Sequence, residues 1–247
     1  MSDQFDRGVV VNRAGAKAEI DEGLRAHMLR VYNYMVTGLA LTGAVAFLVA
    51  STPTLLNLFY VVTPQGFLSA TPLGWVAMLS PLAFVLVLSF GIERMRASTG
   101  QLLFWLFAGV MGLSLSNIFI LYTGESIARV FFITAATFAA MSLYGYTTKR
   151  DLTALGSFLI MGLFGIIIAS VVNMFIGSTM IQFVVSILGV LIFVGLTAHD
   201  TQKIKQMYNA VDGSEIAGKK AIMGALSLYL DFINLFLLLL HLFGNRN

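Results

Sequence analysis

Two aspartates near the end of the chain lie in apolar stretches, where a carboxylate is costly. Asp231 falls within LYLDFINLFLLLLHLFG, residues 228–244, and Asp200 follows a long apolar run, in TAHDTQKIK. A charge at the centre of a membrane helix costs from about 3 to more than 10 kcal/mol, depending on the measurement. Each residue therefore predicts either a function or a hydrogen-bonded structural role.

The chemistry open to this pair is proton sharing and cation binding. Two carboxylates in a poorly solvated place cannot both ionise cheaply, so we expect the pair to share a proton near neutral pH. When deprotonated, their oxygens suit a hard cation such as calcium, which makes Asp200 and Asp231 the predicted metal ligands. Arg94, in FGIERMRAS at a similar level, would favour the ionised form and act as a latch. Arg96 is the alternative latch.

Two neighbouring side chains are predicted to support the pair. His199 borders Asp200 and can tune it, or it can be a solvated interfacial histidine. Asn234, one turn after Asp231, is placed to hydrogen-bond the carboxylate or to join helices. The arginines also match an ordinary positively charged flank, and a lone membrane carboxylate can be purely structural. The shared depth of the two aspartates favours a function.

The composition indicates a protein that lives in a membrane. Of 247 residues, 58% are hydrophobic and only 11% are charged, whereas soluble domains carry about 25% charged residues. The mean hydropathy is +0.87. The chain has no cysteine, which excludes disulfides, thiolate metal sites and cysteine nucleophiles. The first thirty residues are polar and of mixed charge, so we expect no cleavable signal peptide.

Seven apolar stretches are long enough to cross about 30 Å of hydrocarbon as helices. They are residues 31–51, 72–92, 101–122, 128–147, 154–176, 180–199 and 222–243. Residues 51–72 are apolar and uncharged but hold three prolines, which predicts an interfacial loop or a short re-entrant segment. Pro81 lies inside the second span and is expected to kink it. The predicted fold is all-α, a polytopic membrane protein with an N-terminal tail over 1–28 and a transmembrane domain over 29–247.

Lysine and arginine fall mainly on one side of these spans. Thirteen of the 15 lie in the N-terminal tail and in the loops after the second, fourth and sixth spans, which leaves Arg129 and Arg246 opposite. The bias predicts a cytoplasmic N-terminus and, with seven spans, a C-terminus outside. Asp200 then lies near the cytoplasmic end of the sixth span. Asp231, nine residues after Ile222, lies roughly 13 Å into the seventh, so the two depths allow the carboxylates to meet.

Two motifs resemble the Bax-inhibitor (transmembrane Bax-inhibitor-motif) family: HDTQKIK at 199–205 and ALSLYLDFINLFLLLLHLFG at 225–244. The resemblance extends from about residue 25 to the end of the chain. It implies a seven-helix bundle whose last helix is central and wrapped by the other six. It also implies a pH-sensitive calcium leak governed by two aspartates.

The site residues that the resemblance implies are those already singled out. Asp200 matches the sixth-helix aspartate of the family motif, and Asp231 matches the seventh-helix one. Arg94 takes the place of the arginine that ends the second helix and serves as the latch in bacterial-type members, with Arg96 as the alternative. The connection at 206–224 is longer than usual, and the basic C-terminal tail of some eukaryotic members is missing. The missing basic tail implies a bacterial-type protein of the inner membrane.

Other functions remain to be weighed. An intramembrane aspartyl protease carries YD and GxGD motifs, but the contexts here are TAHD and LYLD, and a retinal protein needs a lysine that residues 222–244 lack. A proton-coupled secondary transporter and a non-conducting regulator of other membrane proteins stay open. We predict a cation leak rather than an enzyme, with the lipid bilayer, calcium and protons as its partners. No nucleic acid and no permanently bound cofactor are expected.

Overall fold

A computed structural model describes residues 2–62 and 68–246, and the side chains of residues 22–61 and 69–246. The helices are Ser2–Ser51 (α1), Pro53–Phe59 (α2), Pro72–Gly91 (α3), Ala97–Leu115 (α4), Ile118–Leu121 (α5), Gly124–Thr147 (α6), Thr153–Ile176 (α7), Thr179–Met207 (α8) and Ser214–Phe243 (α9). The strands Tyr60–Val62 (β1) and Leu68–Ala70 (β2) form an antiparallel hairpin.

Within these residues, seven helical stretches are long and apolar enough to cross a membrane. They are α1 from Glu22 onward, α3, α4 together with α5, α6, α7, α8 and α9. The prediction of an all-α polytopic membrane protein is therefore confirmed. The predicted boundary at residue 28 falls inside the continuous helix α1, so the limits of the N-terminal tail stay a prediction.

The segment between the first two spans has more regular structure than an interfacial loop. It forms α2 and then the β1–β2 hairpin, and Thr71 donates its backbone N–H to Phe59 O at 2.9 Å. Thr71 also caps α3, because its side-chain oxygen accepts from Gly74 N at 3.0 Å. The hairpin could not be predicted because three prolines and an absence of charge favour many kinds of turn.

Helix α3 continues through Pro81. Proline has no N–H, so the carbonyl four residues earlier, Ala77 O, loses its helical partner. The hydroxyl of Ser80 donates to that same oxygen at 3.1 Å. A membrane helix tolerates proline when a neighbouring hydroxyl satisfies the freed carbonyl in this way.

The last helix, α9, forms the centre of the bundle. In its span 67% of the residues are buried, against at most 33% in any other span. It packs against α1, α3, α4, α6 and α8, whereas α7 packs mainly against α8. The central position is confirmed, but the enclosure differs from the implied six helices, because α7 stands away from α9.

The turns α3–α4, α6–α7 and α8–α9 lie together at one end of the bundle, which we call the basic end. There the Lys219 ammonium donates to Glu93 O at 3.1 Å, and the Gln202 amide donates to Arg150 O at 2.8 Å. At the opposite end the chain terminus is held by α6: Asn245 N donates to Ser126 Oγ at 2.9 Å.

Candidate functional site

Asp231 lies in the middle of α9 with its side chain turned into the bundle. The residue is only 5% exposed. Its Oδ2 atom is buried and has no hydrogen-bond partner among the residues that the structure describes. A buried carboxylate without a partner is costly, so it needs a proton or a cation for its stabilisation.

Asp200, near the basic end of α8, lies within electrostatic range of Asp231. Its side chain is 21% exposed, and its Oδ1 lies 2.8 Å from Nδ1 of His199. The imidazole is held in turn by α7, because a Cβ on Gly156 would lie 2.1 Å from the Cδ2 atom of His199. The absent side chain at Gly156 therefore makes room for the ring that contacts Asp200.

A cavity of about 1050 Å³ brings the predicted residues together. It lies between α7, α8 and α9, where α7 stands away from α9. Its lining includes Lys203, Asp200 and His199 near the basic end, then Ser227, Asp231 and Asn234 in the middle part of α9, and it continues to His241 at the opposite end. Both aspartates thus face one space that runs along much of the bundle.

Asn234 lines this cavity without bonding Asp231. Its amide donates to Leu230 O at 2.8 Å, within the same helix. The side-chain oxygen of Asn234 is thereby left to face the cavity, one turn beyond Asp231.

The two predicted latch arginines lie elsewhere. Arg94 and Arg96 are exposed in the α3–α4 turn, and neither lines the cavity. Across the described side chains, neither makes an ion pair with Asp200 or Asp231. In this structure the partner of Asp200 is His199, so a latch role for Arg94 or Arg96 stays a prediction.

Sequence reasoning missed several polar residues of the cavity. Lys203 follows Asp200 by three residues, a spacing that places two side chains on one helix face and so carried a usable signal. Ser186 and Ser227 carried no such signal, since isolated serines are common in membrane helices. His241 lies toward the end of α9 opposite the basic end and lines the same cavity as Asp231.

The donor set of the cavity is weak for permanent metal binding. No cluster of three or more His, Asp or Glu residues that could hold a metal occurs in the part of the chain that the structure describes. Calcium takes six to eight oxygen ligands. The side-chain oxygens of Asp200, Asp231 and Asn234 that line the cavity fall short of that number.

The fold and the cavity together define a class of protein: a polytopic membrane protein with an acidic pair beside a central helix. Residues 24–247 match the family described as inhibitor of apoptosis-promoting Bax1. The chain therefore belongs to the Bax-inhibitor family, as the motifs at 199–205 and 225–244 indicated.

Relatives of similar length extend this result. A protein of Rickettsia prowazekii is 49% identical over 226 residues, which cover 92% of each chain. The inner membrane protein YbhL of Escherichia coli (strain K12) is 47% identical over 226 residues, 91% of this chain and 93% of that one. A membrane protein of Streptococcus pyogenes serotype M3 is 36% identical over 227 residues, 92% of this chain and 96% of its own.

Proposed function

We propose that this protein is a pH-sensitive calcium leak whose flux is controlled by protonation of Asp200 and Asp231. The observation that carries the proposal is the buried, unpaired Oδ2 of Asp231 beside a cavity that it shares with Asp200. A proton and a cation compete for such an oxygen, because either one removes the cost of the buried charge.

Calcium is the preferred ion because the ligands on offer are hard oxygens. Carboxylate and amide oxygens are what calcium takes in proteins. A sparse donor set binds the ion loosely, and loose binding lets an ion leave as well as enter. The inner membrane location of YbhL and the distribution of Lys and Arg support a protein in a bacterial inner membrane. The basic end would then face the cytoplasm, with the C-terminus outside.

The two aspartates have different roles in this mechanism. Asp231 is the deeper ligand, so it sets the affinity for calcium. Asp200 is partly exposed, so it exchanges protons with the solution at the basic end. Its bond to His199 holds the closed, resting arrangement of the path. Protonation of Asp200 weakens its bond to the imidazole and opens the path to Asp231.

The test is calcium flux into liposomes that carry the purified protein, across pH 6 to 8. We expect Asp231→Asn to lose calcium affinity and the pH response, and Asp200→Asn to leak more than the wild type at neutral pH. Glu93→Gln is the matched control, because it removes an exposed carboxylate at the same end of the bundle that does not line the cavity.

Three results would contradict the proposed leak, and each would indicate a different role for the aspartates. Wild-type flux in both aspartate variants at every pH would end the gating mechanism. Calcium flux coupled in fixed proportion to proton counter-flux would identify a secondary transporter. No flux above empty liposomes would leave the pair a role in regulating other membrane proteins.

A further inference from the structure

A second, smaller cavity lies at the basic end, closer to the start of α9 than the acidic pair. It has a volume of about 170 Å³ and lies between α1, the α8–α9 turn and the first turns of α9. Its principal lining residues are His27, Arg30, Tyr208, Asp212 and Lys220, and we call it the α1–α9 pocket. The volume is roughly ten times what a single water requires.

His27 is the buried polar group of this pocket. The residue is 7% exposed, and its Nε2 atom is buried without a hydrogen-bond partner among the described residues. The ring interacts with the backbone of Ile204 and lies 5.8 Å from the ring of Tyr208. One edge of the imidazole is thus fixed by the protein, and Nε2 stays unpaired in a residue that lines the pocket. A buried nitrogen of this kind calls for a partner.

The charges around Nε2 favour an anion. The Lys220 ammonium donates one N–H to the Asp212 carboxylate at 2.6 Å and another to Met207 O at 2.9 Å. Its third N–H is left to donate to a ligand. Arg30, one turn after His27, makes no ion pair in the part of the chain whose side chains are described. The carboxylate of Asp212 is already paired, so the pocket has one cation in excess.

The depth of the pocket matches the headgroup layer of a membrane. Helix α9 has 30 residues, about 45 Å at 1.5 Å per residue, which equals a bilayer with its headgroups. Lys220 is six residues from the start of α9, roughly 9 Å along it. The charged groups therefore lie at the boundary between headgroups and hydrocarbon.

We propose that the α1–α9 pocket binds a phosphate group, held by Arg30, by the free N–H of Lys220 and by Nε2 of His27. Phosphate oxygens accept hydrogen bonds from Arg30 and Lys220, and a guanidinium can bind two phosphate oxygens at once in a bidentate arrangement. A phosphate meets Nε2 in either state of the ring: its oxygens accept from an imidazolium, and a P–OH or a headgroup hydroxyl donates to the neutral nitrogen. The phosphate comes either from an anionic lipid or from solution.

Binding is measured on the full chain in a maltoside detergent, which contributes no phosphate of its own. One arm titrates inorganic phosphate against chloride at constant ionic strength and follows the thermal midpoint. The other arm adds phosphatidylglycerol and counts retained lipid by native mass spectrometry. Since neither arm measures flux, the result is independent of the proposed leak.

Two variants and one matched control decide the outcome. We expect Arg30→Gln and His27→Phe to bind about tenfold more weakly or worse, because each removes a charge-assisted or buried hydrogen bond. Arg25→Gln removes an exposed arginine from the same helix outside the pocket and should bind like the wild type.

Binding in only one arm identifies the source of the phosphate, as lipid or solution, and binding in both identifies a general phosphate site. The proposal is overturned if the wild type binds in neither arm. It is equally overturned if Arg30→Gln binds as Arg25→Gln does, or if His27→Phe retains wild-type affinity.

Discussion

Replacing Gly156 by alanine tests how α7 positions the sensor on α8. A Cβ at this position would lie 2.1 Å from Cδ2, 2.3 Å from Nε2 and 2.6 Å from Cγ of His199. Because Cγ is among the contacts, rotation about the outer bond of the side chain cannot relieve the clash. The whole imidazole has to move away, and Asp200 then loses the Nδ1 contact of 2.8 Å.

The size of the effect follows from these distances. Ordinary contact begins at 3.4 Å, so the ring of His199 must move by more than 1 Å. Overpacking of this kind costs about 1–3 kcal/mol. Alanine regains roughly 0.5–1 kcal/mol over glycine within a helix. We therefore expect Gly156→Ala to destabilise the fold by up to about 2.5 kcal/mol, and to raise flux at neutral pH as Asp200→Asn does.

Gly165→Ala is the matched control for this experiment. Gly165 lies on the same helix, and a Cβ there meets nothing within 4 Å. It should leave flux unchanged and raise the thermal midpoint slightly. Thermal unfolding in nanodiscs and calcium flux at pH 6 to 8 are measured for both variants. If the thermal midpoint and the calcium flux of Gly156→Ala both equal those of Gly165→Ala, the imidazole of His199 does not hold Asp200.

Two further predictions concern stability. Tyr229→Phe removes the 2.6 Å hydrogen bond between the buried Tyr229 hydroxyl and Thr42, so the free energy of unfolding should fall by about 0.5–1.5 kcal/mol. The control is Tyr144→Phe, at an exposed tyrosine, which should leave the free energy of unfolding unchanged. Equal thermal midpoints for the two variants would contradict the prediction. Hydrogen bonds from the Thr153 hydroxyl and backbone N–H hold the pKa of Asp151 below its ordinary 3.8. The wild type should therefore be more stable than Asp151→Asn above pH 3.8, and it should lose that advantage as the pH falls through the lowered pKa of Asp151 in the folded state. The thermal midpoints of both proteins are compared from neutral to strongly acidic pH. A difference between them that stays constant over this range would contradict the prediction.

The membrane helices and the depth of the acidic pair could be predicted from the sequence because both depend on local properties. Hydropathy marks each span, and counting 1.5 Å per residue from the span ends places Asp200 and Asp231 at depths close enough to meet. The observed cavity contains both residues. The depth of a residue in its span can be found without knowing which helices touch.

The sequence left the role of His199 open, as a support for Asp200 or as a solvated interfacial histidine. Adjacent residues on a helix point in different directions, so helix periodicity alone does not predict the contact between His199 and Asp200. It forms because Gly156 on another helix leaves space for the imidazole. Arg94 was favoured from its depth and from the family resemblance, and depth does not tell on which side of the bundle a residue lies. Contacts between helices were the missing information.

The loosely packed helix α7 fits the gate that we propose, because the other helices are joined by polar contacts. Polar contacts tie the other helices to one another: Thr42 on α1 bonds Tyr229 on α9, and Ser142 on α6 bonds Thr201 on α8 at 2.9 Å. In contrast, only 6% of the α7 span is buried, and α7 packs against α8 through apolar side chains. A change in the spacing between α7 and α9 therefore alters the volume around Asp231 without breaking these polar contacts. The proposed gate would therefore require little energy at this position, because the central helix would keep its partners.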